Sequence, residues 1–231
     1  MTQIHTKDLF DLSHTLAAEW LSEYDNPWEA LPGLSEYIVK RGEALDPSRF
    51  FCRGENIWIA KSASVADSAC LCGPCIIDED AEIRHCAYIR GSVIVGRGAV
   101  VGNSCEVKNA ILFDRAQIPH FNYCGDSILG YGAHMAAGVI TSNVKGDKTN
   151  VVIRCGDTAV ETGMRKLGAL LGDKTEIGCG TVLNPGTVIG RGTRVYPMSL
   201  IRGVLPAYHI YKNKNEIVPQ NAGGQSEMGG V

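Results

Sequence analysis

The 231-residue chain has no run of about 18 apolar residues, the length a membrane-crossing helix needs, so no such span is expected. It also has little net charge, −3 from 22 basic and 25 acidic residues, and no basic run. A nucleic-acid partner or an acidic membrane surface is therefore not expected. Met1 to Asp11 carry charge and lack the apolar stretch of a secretory leader, which points to the cytoplasm. Nine cysteines without a leader read as free thiols in a reducing compartment rather than a disulfide framework.

What the sequence does hold falls into two regions. Residues 1–50 read as helical. Leu9, Phe10, Leu12, Leu16, Ala17, Trp20 and Leu21 follow helical spacing with Thr6 as N-cap. Asn26, Pro27 and Glu29 form a second start signal, cut short by Pro32. Residues 35–41 predict a further helix ended by Gly42. This part carries no catalytic motif and reads as a small helical cap or an interaction surface.

From Ile59 a period of six takes over. Ile59, Val65, Leu71, Ile77, Ile83, Ile89, Val95, Val101, Val107 and Phe113 are all large and apolar. Four places after each, most residues are small: Ala63, Ala69, Cys75, Ala81, Ala87, Val93, Ala99 and Cys105 among them. The rhythm returns at Tyr123, Leu129 and Met135. It recurs in Leu171, Ile177, Leu183, Ile189, Val195 and Ile201, with Thr175, Thr181, Thr187, Thr193 and Ser199 as small partners. Six fits neither the 3.6 of a helix nor the 2 of a strand. It fits a short strand and a turn, repeated three times per triangular coil, large side chain inward and small one at the corner. The fold class is therefore all-β, a left-handed parallel β-helix of hexapeptide repeats over residues 51–205. An inserted loop at 141–170 leaves the prism, and residues 206–231 form a C-terminal extension, disordered at its end.

Breaks in a solenoid are where function concentrates. One break is Pro119-His120-Phe121-Asn122, and a neutral imidazole there suits a general base; an ordinary exposed turn histidine is the competing reading. Cys72-Gly73-Pro74-Cys75 has redox spacing, yet Cys75 occupies a small inward position and no βα turn follows. Cys70, Cys72, Cys75, His85 and Cys86 lie on different hexads, so convergence on zinc is not expected, and no metal site is assigned. Gly96-Arg97-Gly98 to Gly102 reads as hexad turns rather than a phosphate loop.

The stretch from His120 to Asp126, with Ala137 to Asn143, resembles the acetyltransferase domain of the bifunctional N-acetylglucosamine-1-phosphate uridyltransferase/glucosamine-1-phosphate acetyltransferase family. Gly163 to Ala169 resembles the archaeal sugar-1-phosphate nucleotidylyltransferases that carry the same domain. The resemblance implies an acetyltransferase that takes acetyl-CoA as co-substrate and an amino-sugar 1-phosphate or nucleotide sugar as acceptor, in nucleotide sugar biosynthesis. By the same resemblance His120 is the general base and Glu106 orients it; Arg90 and Lys108 hold the sugar phosphate. Tyr123 and Asn143 contact the sugar, Lys148 matches a family lysine that binds substrate, and Ala137 and Cys179 meet acetyl-CoA. His134 stands where the family has Asn. The nucleotidyltransferase half is not expected, since no Gly-rich nucleotide loop with its following Arg and Lys occurs and residues 1–45 are too short for it. Two other functions fit the scaffold: a non-catalytic assembly or sensing module, and a zinc carbonic anhydrase-like enzyme, which needs three converging histidines. A narrow prism offers no deep pocket, so a second wall is expected from a neighbouring subunit. The family is trimeric, and a homotrimer is expected, with the 141–170 loop reaching across so that Lys148 or Arg165-Lys166 approaches a phosphate.

Overall fold

The computed structural model describes residues 4–220. Hexads stack into a parallel β-solenoid with three faces. The first face carries Ile57–Ala60, Cys75–Ile77, Val93–Val95, the ends of Glu106–Leu112 and Tyr123–Leu129, then Ala169–Leu171, Thr187–Ile189 and Val204–Leu205. The second runs from Ser64–Val65 through Val100–Asn103, Gln117–His120 and His134–Met135 to His209–Asn213. The third runs from Cys70–Leu71 through Tyr88–Ile89 and Ile140–Thr141 to Leu200–Ile201.

The inward residues are those the period marks. Ile77, Ile83, Ile89, Val95, Val101 and Val107 are fully buried in one continuous core, with Cys75, Ala81, Ala87, Val93 and Ala99 at its corners. Thr175, Thr181, Thr187 and Thr193 fill the later corners and are also fully buried. The phase then departs from the expectation. Val93, Ala110 and Ser127 lie one above another, 17 residues apart, so each of these coils is one residue short. The shortened corner lets Glu106–Leu112 and Tyr123–Leu129 run on from the third face to the first. Leu112, Ile118 and Cys124 consequently take the inward places, not Phe113 or Tyr123. Phe113 faces outward, 5.1 Å ring to ring from Phe10.

A second core explains that outward face. Trp58, Ile76, Ile94, Ile111, Ile128, Leu170 and Val188 project from the first face and are buried against the N-terminal segment. A parallel sheet covered on both sides needs this doubled apolar pattern. The cover consists of α1 (Thr6–Leu9), α2 (Ala18–Ser22) and α3 (Leu34–Glu43), linked by 3₁₀ turns at Leu12–His14 and Pro27–Ala30. The segment is thus an integral layer of this chain. Thr6 opens the first helix with His5 as its N-cap, and Asn26 donates to Glu29 at 3.1 Å without capping the backbone. Gly42 lies inside α3 instead of ending it, because a Cβ there would sit 2.3 Å from the Trp58 ring.

The 141–170 insertion also differs from expectation. It contains a hairpin, Val152–Cys155 with Thr158–Glu161, and folds back on its own prism. Val151, Ile153 and Leu167 are the reason: they join the second core and are fully buried. Lys148, Arg165 and Lys166 remain exposed. The solenoid continues past residue 205, where His209–Asn213 pairs with Arg194–Val195 and is closed by Glu216–Pro219. The expected disorder at the end of the extension lies outside the described residues.

Candidate active site

The corner between the second and third faces sets His120 in a column. His120 pairs with Asn103 below it. The Gly138 amide donates to the His120 carbonyl and the Gly180 amide to the Ala137 carbonyl, which places His120, Ala137 and Cys179 on successive coils. Coils rise by about 4.8 Å each. The imidazole of His120 is exposed, and among the described residues no hydrogen bond holds it. Its backbone is held instead by Asn122, which occupies an inward corner and is 3% exposed. Asn122 Oδ1 accepts the His120 amide at 3.1 Å, while Nδ2 donates to the carbonyls of Ala136 at 2.8 Å and Val139 at 3.2 Å. This buried amide sat in the quoted motif, but its inward direction depends on the shortened coil and could not be read beforehand.

The second group gathers on the third face. Tyr88, Glu106, Tyr123 and Ile140 stand in register on successive coils. Arg90 and Lys108 follow on the same strands, near the next corner. Glu106 does not pair with His120 as expected. Its carboxylate accepts from Arg90 Nη1 at 2.5 Å, because the two face one another on neighbouring coils while His120 lies round the corner. Lys108 is half-buried. Asn143 donates to the Tyr123 hydroxyl at 3.2 Å and to Asp126 at 2.5 Å, and Asn109 donates to the same carboxylate at 2.8 Å. Burial raises the Tyr123 phenol above its usual range, although the Asn143 bond works against this. Asp126 is 4% exposed, and together with Asn109 it fixes the corner that carries Asn143. Lys148 is exposed in the insertion, ahead of its hairpin.

His134 does not stand free. Its Nδ1 lies 2.8 Å from Glu176 Oε2 on the adjacent coil. His85 bonds Ser68 through Nδ1 at 2.6 Å. Among the described residues, no three His, Cys, Asp or Glu side chains converge as a metal site would require. Burial pushes the thiols of Cys75 and Cys124 up to about 12, so both stay protonated near neutrality. Cys75 of the Cys72-Gly73-Pro74-Cys75 stretch is fully buried in the prism core.

The solenoid defines a hexapeptide-repeat domain, with the histidine column at one corner and the polar cluster on the face beyond it. The relatives narrow this further. The family described as the GMPPB C-terminal domain matches residues 71–156. The bifunctional protein GlmU of Methanococcus maripaludis is 34% identical over 132 residues, 57% of this chain and 32% of that protein. The GlmU of Methanococcus vannielii is 32% identical over 207 residues, 81% of this chain and 49% of that protein. Among solved structures, a mutant of perosamine N-acetyltransferase from Caulobacter crescentus, in complex with CoA and GDP-perosamine, is similar with a TM-score of 0.33. It is 17% identical and covers 71% of this chain and 56% of that one. The chain thus spans about a third to a half of the length of the GlmU relatives it matches.

Proposed function

We propose that this domain transfers an acetyl group from acetyl-CoA to an amino-sugar 1-phosphate or nucleotide sugar. The observation that carries this reading is the column of His120, Ala137 and Cys179 on successive coils beside the Tyr123–Asn143 pair. A free imidazole at one corner, a hydrogen-bonding cluster on the face beyond it and cationic side chains near the next corner then follow one another. The sequence similarity to a bifunctional sugar-1-phosphate nucleotidylyltransferase/acetyltransferase of Sulfurisphaera tokodaii, 31% identical over 156 residues, supports the same reading.

The chain's own residues divide the work. Neutral His120 takes the proton from the acceptor amine or hydroxyl, which makes that atom nucleophilic. Tyr123 and Asn143 bind the sugar through a hydroxyl and an amide already aligned on each other. Arg90 and Lys108 bind the 1-phosphate; the phosphate competes with Glu106 for Arg90, so Glu106 acts as the holder of Arg90 before acceptor arrives. Ala137 and Cys179, followed in sequence by Gly138 and Gly180, leave a track of small side chains that suits a narrow acyl carrier arm. Acetyl-CoA bound there would supply the acyl group to the deprotonated amine or hydroxyl, with the thioester C–S bond breaking and CoA leaving as its thiol with the proton that His120 took up.

The assembly proposed is a homotrimer. Phe121 and Met198, on the His120 corner, are 63% and 83% exposed, and Ile140 and Leu200 of the third face 41% and 66%. Such an apolar strip is what a neighbouring prism would cover. It would also give the site its second wall, with the exposed Lys148 of each chain near its neighbour. The cytoplasm is the proposed compartment.

The test is incubation with acetyl-CoA and glucosamine-1-phosphate, galactosamine-1-phosphate or an amino-sugar nucleotide, with the acetylated product read by mass spectrometry. His120→Ala should lower the rate on the order of 10²–10⁴-fold with fold and CoA binding retained. Turnover at the wild-type rate would refute the role of His120. Native mass spectrometry should show a trimer, and a mixed trimer of His120→Ala and Lys148→Ala chains should regain part of the activity that each homotrimer lacks. A fully active monomer at micromolar concentration would rule shared sites out.

A further inference from the structure

A cationic cavity lies outside the residues assigned above. It opens between the insertion and the last coils, at the corner between the third and first faces, and has a volume of about 460 Å³. Its positive groups are Lys145, Arg154 and Arg202; Asp147 is its acidic member. Lys145 is already engaged, 2.5 Å from Thr149 Oγ1 and 3.5 Å from Asp147. The guanidinium groups of Arg154 and Arg202 make no hydrogen bond or ion pair among the described residues. Ser142 and Asn184 add neutral polar groups, and Asn184 is fixed by donating to the Ile201 carbonyl at 2.8 Å.

The cavity is built by close backbone approach. Gly203, at φ +80°, lies under the Arg154 carbonyl, where a Cβ would stand 2.6 Å away. Gly186, at φ +75°, lies under Val151, where a Cβ would meet Cγ1 at 2.6 Å. Side chains at either place would lift the hairpin off the coil, and Arg154 with it. Ser142 and Val144 of the wall flank Asn143 in sequence, so the cavity begins beside the Tyr123–Asn143 pair. Arg90, at the other end of that pair, has its charge satisfied by Glu106. An anion attached to a sugar at Tyr123 and Asn143 therefore meets unsatisfied guanidinium groups in this cavity.

We infer that this cavity binds the part of the acceptor's diphosphate that lies beyond the sugar phosphate assigned to Arg90 and Lys108, so that the acceptor is a nucleotide-linked sugar. This choice of acceptor class rests on the acetyl-transfer reading; diphosphate binding itself does not. Planar guanidinium groups pair with phosphate oxygens through two donors at a time, and the volume lies within the range of small-molecule sites.

Isothermal titration calorimetry on the full chain at low salt tests this, with inorganic pyrophosphate, UDP, GDP and 3′,5′-ADP as probes. Pyrophosphate and at least one nucleoside diphosphate should bind the wild type. Arg154→Ala and Arg202→Ala should each weaken binding on the order of tenfold, with an unchanged melting temperature because both side chains are exposed. His120→Ala should bind pyrophosphate as the wild type does; a wild type that binds pyrophosphate but transfers no acetyl group would count against the acetyl-transfer reading alone. Wild-type failure to bind pyrophosphate, UDP and GDP would overturn the inference. So would binding that both arginine variants retain. If the arginine variants weakened only 3′,5′-ADP, the anion would be that of CoA, and the assignment to the acceptor would fall.

Discussion

The Asn122 amide offers the sharpest test of how the site is held. Asn122→Ala removes three side-chain N–H···O bonds, the acceptor for the His120 amide and the donors to Ala136 and Val139, and a weaker thiol contact from Cys105 at 3.5 Å, whose Sγ keeps the Ile118 carbonyl at 3.1 Å. The two carbonyls are not stripped, since Ala136 O still accepts the Val139 amide and Val139 O the Tyr123 amide, at 3.3 and 3.4 Å. Each lost bond then costs about 1 kcal/mol net, and burying the His120 amide without its acceptor adds a further ~1 kcal/mol. The expected loss is about 3–4 kcal/mol, large against a total stability of roughly 5–15 kcal/mol. Urea unfolding followed by circular dichroism at fixed protein concentration would read it as a lower midpoint with an unchanged slope. Asn122→Asp separates hydrogen bonding from volume. It preserves the acceptor and the size but turns a carboxylate oxygen toward two carbonyl oxygens, so at pH 7 it should be worse than Asn122→Ala. A loss below about 1 kcal/mol for Asn122→Ala, or an Asn122→Asp variant as stable as the wild type, would refute the reasoning.

Further perturbations probe the scaffold. Gly102→Ala should fail to fold or lose several kcal/mol, because its Cβ would run into the Pro119 backbone of the next coil, which cannot swing aside as a side chain could; soluble expression and thermal melting would show it. Ile94→Ala should cost about 2–5 kcal/mol in urea unfolding although Ile94 points away from the prism interior, because it is fully buried under the helices. Asp78 is 2% exposed and burial raises its carboxyl pKa above the ordinary value. Its folded state therefore favours the protonated form, a contribution present below the unfolded pKa of about 4 and lost as pH rises through the folded value. Asp78→Asn should accordingly gain stability relative to the wild type at pH 7, and the gain should shrink towards pH 3; a difference constant with pH would contradict this.

The inward positions up to Val107 were legible because every hexad offers the same choice, one large and one small residue. The slip at Phe113 and Tyr123 was not, since a period-six reading has no means of seeing a coil one residue short. The spacing of five from Val107 to Leu112, repeated from Cys124 to Leu129, was the available clue. The outward stripe was also present in the sequence, as Ile57-Trp58-Ile59, Cys75-Ile76-Ile77 and Val93-Ile94-Val95 recurring at 18. It goes unseen in a search that asks only which residue points inward. Gly42 misled because a helix-ending glycine and a glycine under an aromatic ring look alike in one dimension. In the site, the His120–Ala137–Cys179 column came from family resemblance, and coil stacking brings those residues together. The pairing of Glu106 with Arg90 and the meeting of Arg154 with Arg202 depend on which strand neighbours which, and that follows only from the fold.

The helical layer changes how the solenoid can come apart. A stack of repeats whose members touch only their neighbours behaves as a one-dimensional array, with ends that open coil by coil. Here α3 packs on the strands at 75–77 and 93–95, with Gly42 against Trp58 of the first coil. At the other end Leu9 accepts the Asp173 amide, Asp173 accepts the Asp11 amide at 2.7 Å, and Arg191 donates to the Lys7 carbonyl. One layer therefore couples coils far apart in the stack, and opening either end exposes apolar surface that belongs to the middle. The chain should melt as one cooperative unit, with hydrogen exchange in the outer coils of the first face as slow as in the central ones, and fraying confined to the two faces that the helices leave uncovered.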